Sequence, residues 1–132
     1  MNYSFSGTPP EGFGFDVSYE TVAGKMKKYR VKQGSLGDEL MGWVEVDGIP
    51  FHFRSVITPR GTIYEPAFSG DIFAQSYKGV LLSGSMKEVQ NRLSDAGMPV
   101  AQREWDTLVD QSSNCSIFFY EGEAASIAWH PS

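Results

Sequence analysis

The chain has 132 residues, 41% hydrophobic and 20% charged, with nine Phe, six Tyr and three Trp, a balance that suits one packed domain over 1–132 and excludes a disordered chain. Its single cysteine excludes an internal disulfide, and with only two histidines beside it there is no conventional structural zinc site. Net charge is -5, yet Lys25, Lys27, Lys28, Arg30 and Lys32 fall in one window without an acid, leaving 6 bases against 16 acids elsewhere, which disfavours direct nucleic-acid binding.

The opening MNYSFSGTPPEGFGF has neither the basic start nor the apolar stretch of an export signal, and no apolar run is long enough to cross a membrane. The expectation is a cytoplasmic protein without membrane contact. Asn2-Tyr3-Ser4 and Asn114-Cys115-Ser116 match the glycosylation acceptor pattern by chance. Phe13, Phe15 and Val17 alternate, which predicts a strand over 13–19, and 25–33 reads as a second strand with Tyr29 and Val31 opposite Lys28, Arg30 and Lys32.

MGWVEVDGIPFHFRSVI carries the firmest local signal. Asp47-Gly48 suits a type I′ turn, and a two-residue loop sets Val46 opposite Ile49, Val44 opposite Phe51 and Gly42 opposite Phe53. The same register puts Trp43 opposite His52, Glu45 opposite Pro50 and Met41 opposite Arg54 on the other face. Pro50, lacking an N–H, then occupies a non-hydrogen-bonded position near a sheet edge. Thr58–Thr62 is a turn, 62–65 a short strand continuing the meander, and 66–79 has no clear pattern. VLLSG (80–84) reads as a short buried strand.

Ser85-Met-Lys-Glu88 is a capping box, Met86, Val89, Leu93 and Ala96 keep helical spacing, and Gly97 stops the helix. Pro99 suits the first position of a second helix running through Trp105, Leu108 and Val109 to Asp110. The closing stretch is a hairpin: a three-residue loop Glu121-Gly122-Glu123 sets Phe119 opposite Ala125, Ile117 opposite Ile127 and Cys115 opposite Trp129. The fold expected is therefore α+β, a twisted antiparallel sheet of about five to seven strands with two consecutive helices on one face and a C-terminal hairpin.

Three functional readings follow. The charge balance outside 25–32 points to a non-enzymatic interaction protein that docks onto a basic partner, nucleic-acid-binding proteins included, and inhibits or modulates it without a cofactor. Immunity proteins and phage-encoded inhibitors, accessory proteins of mobile elements, share this size and charge. Its contact residues are Asp38 and Glu39, the Trp43, Glu45 and Arg54 face, and the Glu121 and Glu123 tip. A second reading rests on Arg54, Ser83-Gly84-Ser85 and Glu121-Gly122-Glu123, whose chain order resembles the ADP-ribosyltransferases of the arginine, serine, glutamate type. That resemblance implies an NAD-dependent enzyme with Arg54, Ser83 and Glu123 catalytic, Gly84 standing where the family carries Thr. The third is a small-molecule binder, with aromatics of 13–19 and 41–57 lining a cup between sheet and helices.

Overall fold

A computed structural model describes residues 2–131. The chain runs β1 (Ser4–Phe5), α1 (Tyr19–Ala23), β2 (Lys27–Gly34), β3 (Gly37–Val46), β4 (Ile49–Val56), β5 (Ala67–Ser69), a 3-10 turn at Ile72–Ala74, β6 (Ser76–Tyr77) and β7 (Val80–Leu81). It continues through α2 (Met86–Asp95), β8 (Val100–Glu104), β9 (Thr107–Asp110), β10 (Cys115–Tyr120) and β11 (Glu123–Trp129). Eight strands form one sheet in the order β2-β3-β4-β5-β11-β10-β9-β8, and β1-β6-β7 form a second.

The expected α+β architecture is corrected. The molecule is mostly β, 47% strand and 14% helical, and among the described residues α2 is the only long helix, instead of a pair laid on a sheet. The region expected as a second helix is the β8–β9 hairpin. Three apolar residues at helical spacing fit a short strand run equally well, and Thr107–Asp110 is claimed by β10, with Cys115 opposite Asp110 and Ile117 opposite Leu108. Pro99 takes no part in a helix; its carbonyl accepts the Gln111 amide and closes the hairpin. Trp105, expected on the apolar side of that helix, stands at the turn, 81% exposed.

The strand expected over 13–19 is also absent. Asp16 has φ 67, which breaks the alternation, and Ser18 caps α1 by accepting the Glu20 amide. Phe13 still enters the core, but Phe15 stays outside. Residues 62–65 contribute two isolated bridges, Ser18 with Thr62 and Ile57 with Ile63, in place of a strand. In VLLSG only Val80–Leu81 is strand; Leu82 is buried while Leu81 is exposed.

Elsewhere local chemistry decided the structure as read. Asp47 (φ 51) and Gly48 (φ 80) form the turn between β3 and β4, and every pair from Val46 with Ile49 back to Met41 with Arg54 is in the expected register. β5 covers β4 only from His52 to Arg54, so Pro50 has no ladder neighbour on that side. Ser85 accepts the Glu88 amide while the Glu88 carboxylate accepts the Ser85 amide, a complete capping box. In the closing hairpin Cys115 opposes Trp129 and Ile117 opposes Ile127, but the loop is the two-residue Glu121-Gly122. Phe119 therefore meets Ala124, and Ala125 is taken up in a bulge.

The core is a stack of aromatic rings. Phe68 on β5 lies 5.2 Å from Phe53, 5.4 Å from Phe13 and 6.0 Å from Trp129 between ring centres, mostly edge to face. Phe5 on β1 meets Phe51, Phe68 and Trp129 in turn. The Trp129 indole donates to the Ser6 carbonyl (3.1 Å), so the amino-terminal segment is tied across the final strand. These rings fill the space between the sheet and the segments that cover it.

Candidate functional site

Trp43, His52 and Arg54 project from the face of β3 and β4 turned away from the core. Trp43 is half exposed, its ring 5.5 Å from that of His52 at 81°. The Arg54 guanidinium donates to one Glu39 carboxylate oxygen through two nitrogens. β2 adds the remaining charges: Arg30 opposes Met41, Lys32 opposes Glu39 and Lys27 opposes Trp43. Partial burial lowers the His52 pKa, and the Arg54 and Arg30 guanidinium groups lower it further.

Asp38 and Glu39, and the Trp43, Glu45 and Arg54 face, all expected as contacts for a basic partner, lie on β3 and β4 beside the bases of β2. Glu39 is held by Arg54, Glu45 lies 3.9 Å from Lys27, and Asp38 opposes Gln33. Strands β2 to β4 carry Lys27, Lys28, Arg30, Lys32 and Arg54 against those three acids, so the sheet's first edge is cationic. Two open grooves flank Trp43, one of about 300 Å³ lined by Lys25, Lys27, Glu45 and Pro50 and one of about 220 Å³ lined by Lys28, Arg30, Met41 and His52.

The acids at the tip of the closing hairpin have a different neighbourhood. Phe119 donates its amide to the Asp106 carbonyl (2.8 Å), which holds the Trp105-Asp106 turn beside the β10–β11 hairpin. Glu104, Glu121 and Glu123 are exposed there, together with Trp105 and Tyr120, the latter 70% exposed. Residues 99–132 contain a single base, Arg103, against Glu104, Asp106, Asp110, Glu121 and Glu123. Trp105 and Tyr120 were not picked out from sequence, because a helix over 99–110 directs Trp105 inward.

Arg54, Ser83 and Glu123 are not brought together. Arg54 is level with Ala67 on β5 and Ala128 on β11. Glu123 starts β11, so at strand spacing it lies on the order of 15 Å along the sheet from that level. Ser83 belongs to the loop before α2, where Arg92 donates to the Ser83 and Leu81 carbonyls.

Two polar clusters were invisible in the sequence. Ser116 Oγ is 2.9 Å from His130 Nε2, and His130 Nδ1 is 2.8 Å from a Glu65 carboxylate oxygen. The order serine, imidazole, carboxylate is that of a hydrolase relay. Ser116, however, is 1% exposed, in a strand laddered on both sides to Val109 and Ala128, so no substrate reaches it in this conformation. The cluster fastens the end of the chain instead: Asn114 accepts the His130 amide on its carbonyl and donates its side-chain amide to the His130 and Pro131 carbonyls.

The second cluster joins the two sheets. One Asp110 carboxylate oxygen accepts the Tyr77 hydroxyl (2.7 Å) and the Lys78 ammonium (2.8 Å), and the other accepts the Ser112 hydroxyl (2.6 Å) and amide (3.1 Å). Lys78 also reaches Ser113 Oγ at 2.8 Å. Burial raises the pKa of Tyr77 and of the neighbouring Cys115, leaving both neutral.

Among the described residues no three His, Cys, Asp or Glu side chains are grouped to hold a metal ion, and no helix is long and apolar enough to cross a membrane. A scan against protein-family models and searches of curated proteins and of solved structures find no match.

Proposed function

We propose that this protein is a non-enzymatic interaction protein whose acidic end docks onto a basic protein partner and inhibits or modulates it. The observation that carries the reading is the pairing of two outward aromatic rings, Trp105 and Tyr120, with Glu104, Glu121 and Glu123 at one end of the sheet. Exposed carboxylates steer a basic surface into encounter, and tryptophan and tyrosine supply the buried contact area that slows dissociation. Glu121 and Glu123 stay among the contact residues, joined by Trp105, Tyr120 and Glu104. Asp38, Glu39, Trp43, Glu45 and Arg54 leave the docking set because Arg54 holds Glu39, Lys27 stands by Glu45, and β2 to β4 carry more bases than acids.

The test is capture from the protein's own host with wild type, a Glu121→Lys/Glu123→Lys variant and Trp105→Ala in parallel. A basic partner retained by wild type should associate more slowly with the charge-reversed variant, and more slowly as salt is raised. Trp105→Ala should weaken binding about tenfold or more through faster dissociation. Equal capture by all three would refute the docking surface.

A further inference from the structure

β2 is the outermost strand of the eight-stranded sheet, and its second side has no ladder partner. The register identifies the free groups. Gly34 and Gly37 flank a two-residue turn, so they form a hydrogen-bonded pair, as do Lys32 with Glu39 and Arg30 with Met41. Val31 and Gln33 fall on the alternate positions, and their N–H and C=O groups point away from the sheet.

The two faces of this edge differ chemically. Arg30 and Lys32 lie on the outer face, in line with Met41 and Glu39. Among the described residues neither forms an ion pair, whereas Lys27 and Arg54 each have a carboxylate. Val31 lies on the opposite face beside Leu40 and is 46% exposed. Next to it a groove of about 430 Å³ is lined by Tyr19, Val31, Leu36, Ile57 and Pro59, with Leu36 82% exposed at the turn.

An unpaired strand edge is a template for another strand, and charge decides which one. A second copy pairing antiparallel about Val31 would set Arg30 against Lys32, cation against cation, which is destabilising. β8, the other free edge, carries Arg103 and Glu104, which cancel. An extended segment with carboxylates at alternate positions meets Arg30 and Lys32 on one face while its intervening apolar residues reach Val31 and the groove on the other. We infer that the Lys27–Gly34 edge is a second interaction site, which takes an extended peptide of alternating acidic and apolar residues as a ninth strand. Its backbone is held by Val31 and Gln33, and its carboxylates by Arg30 and Lys32.

The test uses the intact protein and short fluorescein-labelled peptides, read by anisotropy and by amide hydrogen exchange. One peptide alternates valine and glutamate, one alternates valine and lysine, and one has the composition of the first with its glutamates in a single block. The alternating acidic peptide should bind about tenfold or more tightly than either control and should protect the Val31 and Gln33 amides. Val31→Pro removes an outward N–H that β3 does not use and should abolish that preference. Arg30→Glu/Lys32→Glu should transfer it to the lysine peptide, which keeps the test open if the proline variant fails to fold. Equal binding of the blocked peptide, unprotected Val31 and Gln33 amides in the complex, concentration-dependent dimerisation in sedimentation that Arg30→Glu/Lys32→Glu abolishes, or tighter binding of oligothymidylate would each overturn the inference.

Discussion

Replacing Asp110 with asparagine removes the charge that holds β6 against β9 while keeping the side chain's shape. Burial works against that charge, but bonds from Lys78, Ser112 and Tyr77 outweigh it and bring the carboxyl from an ordinary 3.8 to about 2. At about 1.4 kcal/mol per tenfold in a proton equilibrium, this corresponds to about 2.5 kcal/mol of folding stability. Because the folded-state pKa is the lower one, the contribution is complete above about pH 4 and is lost as pH falls toward 2. Asparagine also presents an amide N–H where the wild type has only acceptors, so one of Tyr77, Lys78 or Ser112 loses its partner. The expected loss in Asp110→Asn is therefore about 2 to 4 kcal/mol at neutral pH, a large share of a small domain's stability. Urea unfolding followed by tryptophan fluorescence at a series of pH values measures it, since Trp129 is buried and reports on the core. Wild-type and variant midpoints should converge as pH is lowered from about 4 to 2, because the wild type loses what the variant never had. A gap below about 1 kcal/mol at pH 7, or one that does not shrink in acid, would refute the argument that the charged cluster ties the sheets together.

Other expectations are more local. Cys115, whose thiol is pushed up by burial, and the closed Ser116 should resist iodoacetamide and fluorophosphonate probes in the native protein, while the thiol should react once urea unfolds the chain. Rapid native labelling of either would show that the β10 strand opens. The His52 imidazole should titrate below its ordinary 6.5 in a proton NMR series, and Arg54→Ala should move the midpoint upward; no movement would remove the guanidinium as a cause. At Gly42 an added Cβ would stand 2.7 Å from Met26 Cε and 2.8 Å from Tyr29 Cα, the second a backbone atom that cannot swing aside. Gly42→Ala should cost about 1 to 3 kcal/mol and speed amide exchange in β2, whereas a neutral effect in urea would mean that the edge strand shifts freely.

Where chemistry within a few neighbouring residues decides the outcome, it was readable in advance. Asp47-Gly48 dictated both the turn and every pair of β3 with β4, and Ser85 with Glu88 marked the start of α2. Glu121-Gly122 was recognised as a turn but assigned one residue too many, since a type I′ loop followed by a bulge resembles a three-residue loop in one dimension. β8 and β9 were missed because Leu108 and Val109 suit either period, and what decided between them was β10, a strand that local pattern cannot supply. β5 was missed because three residues carry no pattern at all. The functional surfaces were legible only in part for the same reason. Glu121 and Glu123 were found at a tip, but their aromatic companions depend on β8 and β9 being strands. The basic window and the Trp43 face were both noticed, yet only the pairing of β2 with β3 revealed them as one surface.

β5 has a consequence for how the molecule comes together. Phe68 is matched on one side by Phe53, close in the chain, and on the other by Ile127, far along it. The β3–β4 ribbon zips from its own tight turn without waiting, whereas the final hairpin must find a three-residue slot far back in the chain. That pairing carries the larger loop-closure cost. Without it, Phe68 and the flank of β5 would be an unpaired strand edge, the kind of surface that pairs with other chains.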